Sequence, residues 1–266
     1  MLQHPFLTTA AYAGYPNKIN TTRAGNYDLR VIVMRHGERI DQTLGPNWLK
    51  SPQVRAQIPR RLPKRANQLL YAFDPPITRE GEQASALKGQ QLMTMGLTAD
   101  YCYCSPTSRT VITSADVLIG MNRAAVPLKI EPALFETMSW NPQLQLLGNV
   151  SPFMSTQDWT TAGYTVDHRY HRLTNYLNPN ETEQDYYNRS AQFLHTIEKR
   201  HGSGRSRKTV LVVGHASSTI IYPTIALRHP FDAVKFGQDC GNVQYLSTVI
   251  LERDAYSKIW SVKHLR

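Results

Sequence analysis

Two histidines stand at the same place in two similar stretches of sequence, VIVMRHGER at Val31–Arg39 and VLVVGHASS at Val210–Ser218. Each follows an apolar run and precedes small or polar residues. An imidazole can attack an electrophile, move a proton or hold an anion, so His36 and His215 delivered to one crevice would make a chemical site. Either one alone could equally be a histidine that ends a strand and does nothing more. Arg35 and Arg39 flank His36, and donors crowded after a buried strand repel one another unless an anion sits among them. A third turn, Cys104-Ser105-Pro106-Thr107-Ser108-Arg109, puts another arginine at the first turn of a helix. Phosphate suits this set, because guanidinium forks pair bidentately with its oxygens and helix N-termini add backbone donors.

Such turns must be held by regular elements, and the hydrophobic periodicity supplies them. Leu29–Met34 is a continuous apolar run of the length expected for a strand buried on both faces, and Thr209–Val213 is a second. Tyr101–Cys104 and Leu128–Glu131 read as shorter strands. Val243–Leu251 and Lys258–Val262 read as a closing hairpin through Asp254 and Tyr256. A helix is expected after Thr78, with Ala84, Leu87, Gln91 and Met95 on its apolar face and an end near Gly96. Others are expected at Arg109–Ile119, with Ile112, Ala115 and Ile119 aligned, and from Glu183 to near Gly202, with Tyr187, Ala191 and Leu194 aligned. A fourth spans Ser218–Leu227, and Met138–Asn180 reads as an insertion of loops and short helical pieces. Alternating strands and helices predict an α/β fold, three-layer α/β/α with a mostly parallel central sheet and chemistry at the carboxyl ends of the strands. The economical division is a flexible extension over residues 1–28 and one domain over 29–266.

The chain has 266 residues, 41% of them hydrophobic and 19% charged, which provides for a core and excludes wholesale disorder. No stretch approaches the roughly 18 to 20 apolar residues that span a bilayer, and no secretory signal is evident, so a soluble cytoplasmic protein is expected. Cys102, Cys104 and Cys240 are too few for a disulfide framework and read as reduced core thiols. The N-x-S/T triplets at Asn20, Asn149, Asn180 and Asn188 are read as chance. The net charge of +10 favours anionic partners without choosing among them. Its densest run, Arg55, Arg60, Arg61, Lys64 and Arg65, is broken by Pro52, Pro59 and Pro63 and reads as a solvated loop. Arg205, Arg207 and Lys208 read as a flexible connection. Neither run carries a zinc-finger or RNA-recognition signature, so no specific nucleic-acid partner is expected.

The RHGE turn, the SPTSR turn, the EPALFE segment at Glu131–Glu136 and the GHASS turn resemble, in order and approximate spacing, the histidine phosphatase (phosphoglycerate mutase-like) superfamily. Within it, Arg39–Leu49 (RIDQTLGPNWL), the LPKR at Leu62, Phe73–Thr78 (FDPPIT) and Leu134–Trp140 (LFETMSW) look most similar to the Sts/TULA phosphatase domains and ecdysteroid-phosphate phosphatases. The resemblance covers roughly Leu29 to Val262. It implies that His36 is a nucleophile forming a phosphohistidine, and that Arg35, Arg39, Arg109 and His215 hold the phosphoryl oxygens. Glu136 would be the general acid and then the base for water, with Glu131 as its main competitor and Glu38 a lesser one. Asp41 and Asp74 are left as structural. For the attack, the other ring nitrogen of His36 should donate to a backbone carbonyl. Phosphoryl transfer asks mainly for positioning and charge, so neither metal nor cofactor is expected.

The implied activity is that of a phosphomonoesterase acting on phosphotyrosine or another aryl or bulky ester such as a steroid phosphate. The alternatives are a phosphoglycerate mutase or sugar bisphosphatase, and a non-catalytic module that binds phosphorylated partners. A homodimer is implied by the resemblance alone. Residues 143–167 follow no pattern, yet would cover the mouth of the site, so the choice of substrate stays open. No ubiquitin-associated or SH3 segment is recognisable, and no adaptor role is assigned.

Overall fold

Val31–Met34 and Val210–Val213 carry no polar side chain, so neither run can turn a face to water. Both lie at the centre of a six-stranded sheet in the computed structural model, which describes residues 26–148, 150–202 and 206–265. The strands are β1 (Tyr27–Arg35), β2 (Tyr101–Cys104), β3 (Leu128–Ile130), β4 (Lys208–Gly214), β5 (Thr248–Asp254) and β6 (Trp260–Leu265). They lie in the order β3-β2-β4-β1-β5-β6. The first four are parallel to one another, and the pairings of β5 with β1 and of β6 with β5 are antiparallel, so the sheet is mostly parallel as expected.

Alternation along β1 divides the core. Ile32 and Met34 join one buried cluster with Cys102, Cys104, Val111 and Ile112, whereas Val31 and Val33 join another with Tyr186, Phe193 and Ile221. The helices are α1 (Ile40–Leu44), α2 (Val54–Gln57), α3 (Arg79–Thr94), α4 (Ser108–Gly120), α5 (Thr156–Thr161), α6 (Glu183–His201), α7 (Ala216–Ala226) and α8 (Ala233–Gly241). Side chains of α4 and α5 fill the first cluster, those of α6, α7 and α8 the second, giving the three layers. The cysteines are free and buried, and burial pushes the Cys102 thiol up to about 12. Among the described residues no helix is long and apolar enough to cross a membrane.

The β1–β4 register places the chemistry. It pairs Arg35 with Gly214, so the next residues, His36 and His215, leave the sheet side by side. On the other flank of β4, Cys104 pairs with Val213, and the Ser105 amide donates to the Val213 carbonyl at 3.1 Å, which brings the SPTSR turn to the same edge. Thr78 caps α3 by accepting from the Gly81 amide at 2.9 Å.

The apolar face expected on α3 is the wrong one. Ala84, Leu87 and Gln91 are exposed, Leu87 by 62%, and the buried positions are Gly81, Ser85, Gly89 and Leu92. The reason is a close approach of backbones: a methyl group at Gly89 would overlap the Val117 carbonyl of α4, and one at Gly120 would overlap the Ala86 carbonyl of α3. Small residues, invisible to a hydrophobic pattern, make the contact. The alignment on α6 is partly off: Leu194 is buried as expected, together with Tyr186, Ser190, Phe193 and Ile197, while Tyr187 and Ala191 are half-buried. Ile119 is 48% exposed.

Other boundaries move. β5 begins at Thr248 rather than Val243, and α8 was not foreseen. Tyr27 and Asp28 already belong to β1, where Asp28 is buried against Arg253; residues 1–25 of the expected extension lie outside the described residues. Residues 203–205 of the second basic run also lie outside them, and Arg207 rests over the Tyr27 ring. The first basic run is not a wholly solvated loop. Arg65 pairs with buried Asp74, and Arg61 reaches Asp116 and covers the Tyr164 ring.

Gly89→Ala should therefore cost about 1–3 kcal/mol or more through overpacking, while Leu87→Ala stays within about 0.5 kcal/mol. Urea denaturation of the two variants checks this, and equal losses would contradict the α3–α4 contact.

Candidate active site

His36 is the first residue past β1, where the chain still has a neighbour on each side. Its amide donates to the Gly214 carbonyl at 3.0 Å, and its carbonyl accepts from the Leu246 amide at 3.3 Å. The ring is 3% exposed, and Nδ1 lies 2.8 Å from the carbonyl oxygen of Gly37. A carbonyl can only accept, so Nδ1 carries the proton and Nε2 keeps its lone pair. The Gly37 amide in turn donates to Thr113 Oγ1 at 2.9 Å, which fixes the turn to α4. Burial, then the charge of Arg109 and the proximity of His215, hold the His36 imidazole well below the usual histidine range.

His215 occupies the equivalent place after β4 and is 1% exposed. The two rings meet edge to face with centroids 5.5 Å apart. Nε2 of His215 lies 2.9 Å from Ser105 Oγ, and Nδ1 lies 3.4 Å from Arg109 Nη2 and 3.6 Å from Glu136 Oε1. Burial, followed by Arg109, Arg39 and Arg35, holds this imidazole well below its usual value too.

Arg109 donates through Nη2 to Glu136 Oε1 at 2.7 Å, and its side chain is 4% exposed. Its place is set by α4, whose first amide, that of Ser108, donates to Asp74 Oδ1 at 2.8 Å, while the Ser108 hydroxyl donates to Asp74 Oδ2 at 2.6 Å. Arg39 forms a two-pronged pair with Asp41 at 2.9 and 2.7 Å. Arg35 donates to the Val243 carbonyl and lies 4.4 Å from the centroid of the Tyr245 ring. The Nε atoms of both Arg35 and Arg109 are buried with no acceptor from the protein.

His36, His215, Arg109 and Glu136 are thus brought into one cluster, with Arg35 and Arg39 near enough for their charges to act on His215. Glu131, the expected competitor of Glu136, is fully buried and spent on the Ala133 amide at 2.8 Å, the Tyr170 hydroxyl at 2.6 Å and the Leu173 amide at 2.7 Å. Glu38 is occupied by the Thr78 hydroxyl at 2.8 Å.

Sequence reasoning missed the aromatic lining. Tyr245 is half-buried, its ring centroid 5.8 Å from that of His36. The signal was topological, since an antiparallel β5 beside β1 brings the residues before Thr248 next to those after Met34. On the far side Phe135 packs edge-on against His215 at 5.6 Å, and the half-buried Phe153 rests on Phe135 at 5.2 Å. Phe153 comes from the 143–167 stretch that no pattern placed.

Residues 31–259 match the family described as "Histidine phosphatase superfamily (branch 1)". The chain is 29% identical over 222 residues to the "Ecdysteroid-phosphate phosphatase" of Drosophila melanogaster, a span of 77% of this chain and 27% of that protein. It is 29% identical over 271 residues to "Ubiquitin-associated and SH3 domain-containing protein B" of Mus musculus, 96% of this chain and 41% of that one. The chain spans less than half the length of either relative. Among solved structures, the ecdysone phosphate phosphatase of Bombyx mori in complex with tungstate superposes with a TM-score of 0.67 at 24% identity, covering 88% of this chain and 91% of that one. A phosphoglycerate mutase from Bacillus anthracis gives 0.53 at 15% identity, covering 90% and 94%. Both likenesses bear out the expected α/β architecture.

Imidazole nitrogen NMR should report His36 as neutral, with the proton on Nδ1, at and below pH 6.5. A ring titrating at the ordinary value or above would contradict the geometry. Because the unfolded chain takes up protons near pH 6.5 that these buried rings refuse, His36 and His215 should also make stability fall as pH drops below about 6.5.

Proposed function

The chain belongs to the histidine phosphatase superfamily, and from that premise we propose that it is a phosphomonoesterase working through a phosphohistidine on His36, with residues from Tyr27 onward acting as one catalytic domain. The observation that carries the proposal is a buried imidazole whose Nδ1 faces the Gly37 carbonyl, which leaves Nε2 its lone pair, with Arg109 and Arg35 acting on it and Arg39 acting on the neighbouring His215.

In this reading the phosphoryl group enters among Arg35, Arg39, Arg109 and His215. Its oxygens compete with Glu136 for Arg109; the carboxylate freed from that ion pair takes the proton carried by the entering phosphate monoanion and, now a carboxylic acid, stands beside the leaving oxygen. Nε2 of His36 attacks phosphorus, the P–O bond to the leaving group breaks, and Glu136 gives that oxygen a proton. Water then attacks the phosphohistidine, Glu136 takes its proton, and the P–N bond breaks to give phosphate and free His36; the proton leaves with the product phosphate, and Glu136 pairs with Arg109 again. The arginine charges stabilise the equatorial oxygens throughout. None of these steps calls on a metal ion.

For the substrate class we propose aryl or bulky phosphate esters, with phosphotyrosine and steroid phosphates as the leading candidates. Half-buried Tyr245 and Phe153 offer apolar surface on either side of the histidine pair, which a small sugar phosphate would leave unused. The ecdysteroid-phosphate phosphatase name of one relative points the same way.

Hydrolysis of para-nitrophenyl phosphate in excess EDTA tests the function. The parent chain should remain active and His36→Ala should lose about a thousandfold or more in kcat. Inactivity of the parent, with phosphopeptide binding retained, would favour the binding-module alternative. Glu136→Gln separates the acid role from mere binding. A phenol leaves with a pKa of about 10 and needs little help, whereas an alkyl alcohol is far more basic. The substitution should slow alkyl esters by about a hundredfold or more and aryl esters by less than about tenfold. Equal losses would remove Glu136 from that role.

A further inference from the structure

Arg65 lies outside the cluster just described, in the LPKR segment, yet its side chain is only 6% exposed. Its Nη2 donates to Asp74 Oδ2 at 2.7 Å and its Nη1 to the Pro152 carbonyl at 2.5 Å, and the Tyr71 ring centroid lies 5.0 Å from its guanidinium. Asp74 is completely buried. A carboxylate without water must be paired with a cation or held by several donors. Asp74 has two cations within reach, Arg65 at 2.7 Å and Arg109 Nη1 at 3.9 Å.

We infer that Arg65 is a positioning residue that occupies Asp74 so that Arg109 is left for the phosphoryl group, which rests on the phosphatase reading above. Asp74 cannot be dispensed with locally, because it accepts both the amide and the hydroxyl of Ser108 and so fixes the start of α4, which carries Arg109. The same carboxylate is a standing competitor for Arg109. Were Arg65 uncharged, Asp74 would have Arg109 as its nearest cation, and attraction in a dry interior would draw that guanidinium away from Glu136 and from any phosphate. The second fork of Arg65 adds a link to the mouth, since Pro152 precedes Phe153, the residue resting on Phe135.

Titration calorimetry with inorganic phosphate tests this on the full chain, using Arg65→Met, Arg65→Lys and the double variant Arg65→Met/Asp74→Asn, with thermal unfolding run alongside. Arg65→Met should weaken phosphate binding about tenfold, the loss of one charged hydrogen bond. Arg65→Lys, which keeps the charge, should stay within about threefold of the parent, as should the double variant, because asparagine accepts from the Ser108 amide through Oδ1 and donates Nδ2 to the Ser108 hydroxyl without attracting Arg109. A merely structural role predicts that the double variant binds as poorly as Arg65→Met or worse, and that result would overturn the inference. If Arg65→Met does not fold, the double variant and Arg65→Lys carry the test, and a tenfold weakening in both would overturn it. Failure of the parent chain itself to bind phosphate would instead count against the phosphatase reading.

Discussion

A histidine among guanidinium groups keeps a free lone pair only if its other nitrogen is committed and its protonated form is made costly. At His36 both conditions come from the turn itself. The Gly37 carbonyl takes the Nδ1 proton, and burial beside Arg109 and His215 disfavours a second one. The rest of the architecture keeps that turn in place. The Gly37 amide is anchored on Thr113, the His36 amide on Gly214 and its carbonyl on Leu246, so α4, β4 and the approach to β5 all meet there. A parallel register that pairs Arg35 with Gly214 then sets His215 beside His36 without any further device.

The cationic ring around that histidine is stable in isolation because its arginines have partners of graded availability. Arg39 has Asp41, Arg109 has Glu136, and Arg35 has a carbonyl and the face of Tyr245. Glu136 holds Arg109 by one hydrogen bond where Asp41 holds Arg39 by two, so it is the carboxylate a phosphate displaces more readily, and it is also the group placed to pass a proton. Asp74, fully buried and bonded to Ser108, is one that must not move. Strong charge pairs away from the reacting atoms and an interruptible one beside them suit a site that binds a dianion and then releases it.

How much of this was legible follows the length scale of each signal. The strands β1 and β4 announce themselves as unbroken apolar runs, and the turns after them carry the chemistry, so His36, His215, Arg35, Arg39 and Arg109 could be named from local text. Glu136 came from the EPALFE resemblance, since nothing local distinguishes it from Glu131; the contacts of Glu131 with Tyr170 and Leu173 are made across the fold. Helix faces were misread where packing uses absence of side chain, as at Gly89 and Gly120. Tyr245 and Phe153 escaped because each reaches the site through a loop whose path depends on distant pairing. In the local text Arg65 is one more residue of a basic loop, and what sets it apart is its pairing with the buried Asp74.

The most direct test of the central claim is a rapid-quench experiment with a phosphorus-labelled aryl phosphate, followed by mapping of any label left on the protein. A neutral, nucleophilic His36 predicts an acid-labile, base-stable phosphoryl group on the peptide containing His36, formed within one turnover and missing from His36→Ala. Turnover of the ester with no covalent label, or with label on His215 instead, would contradict it.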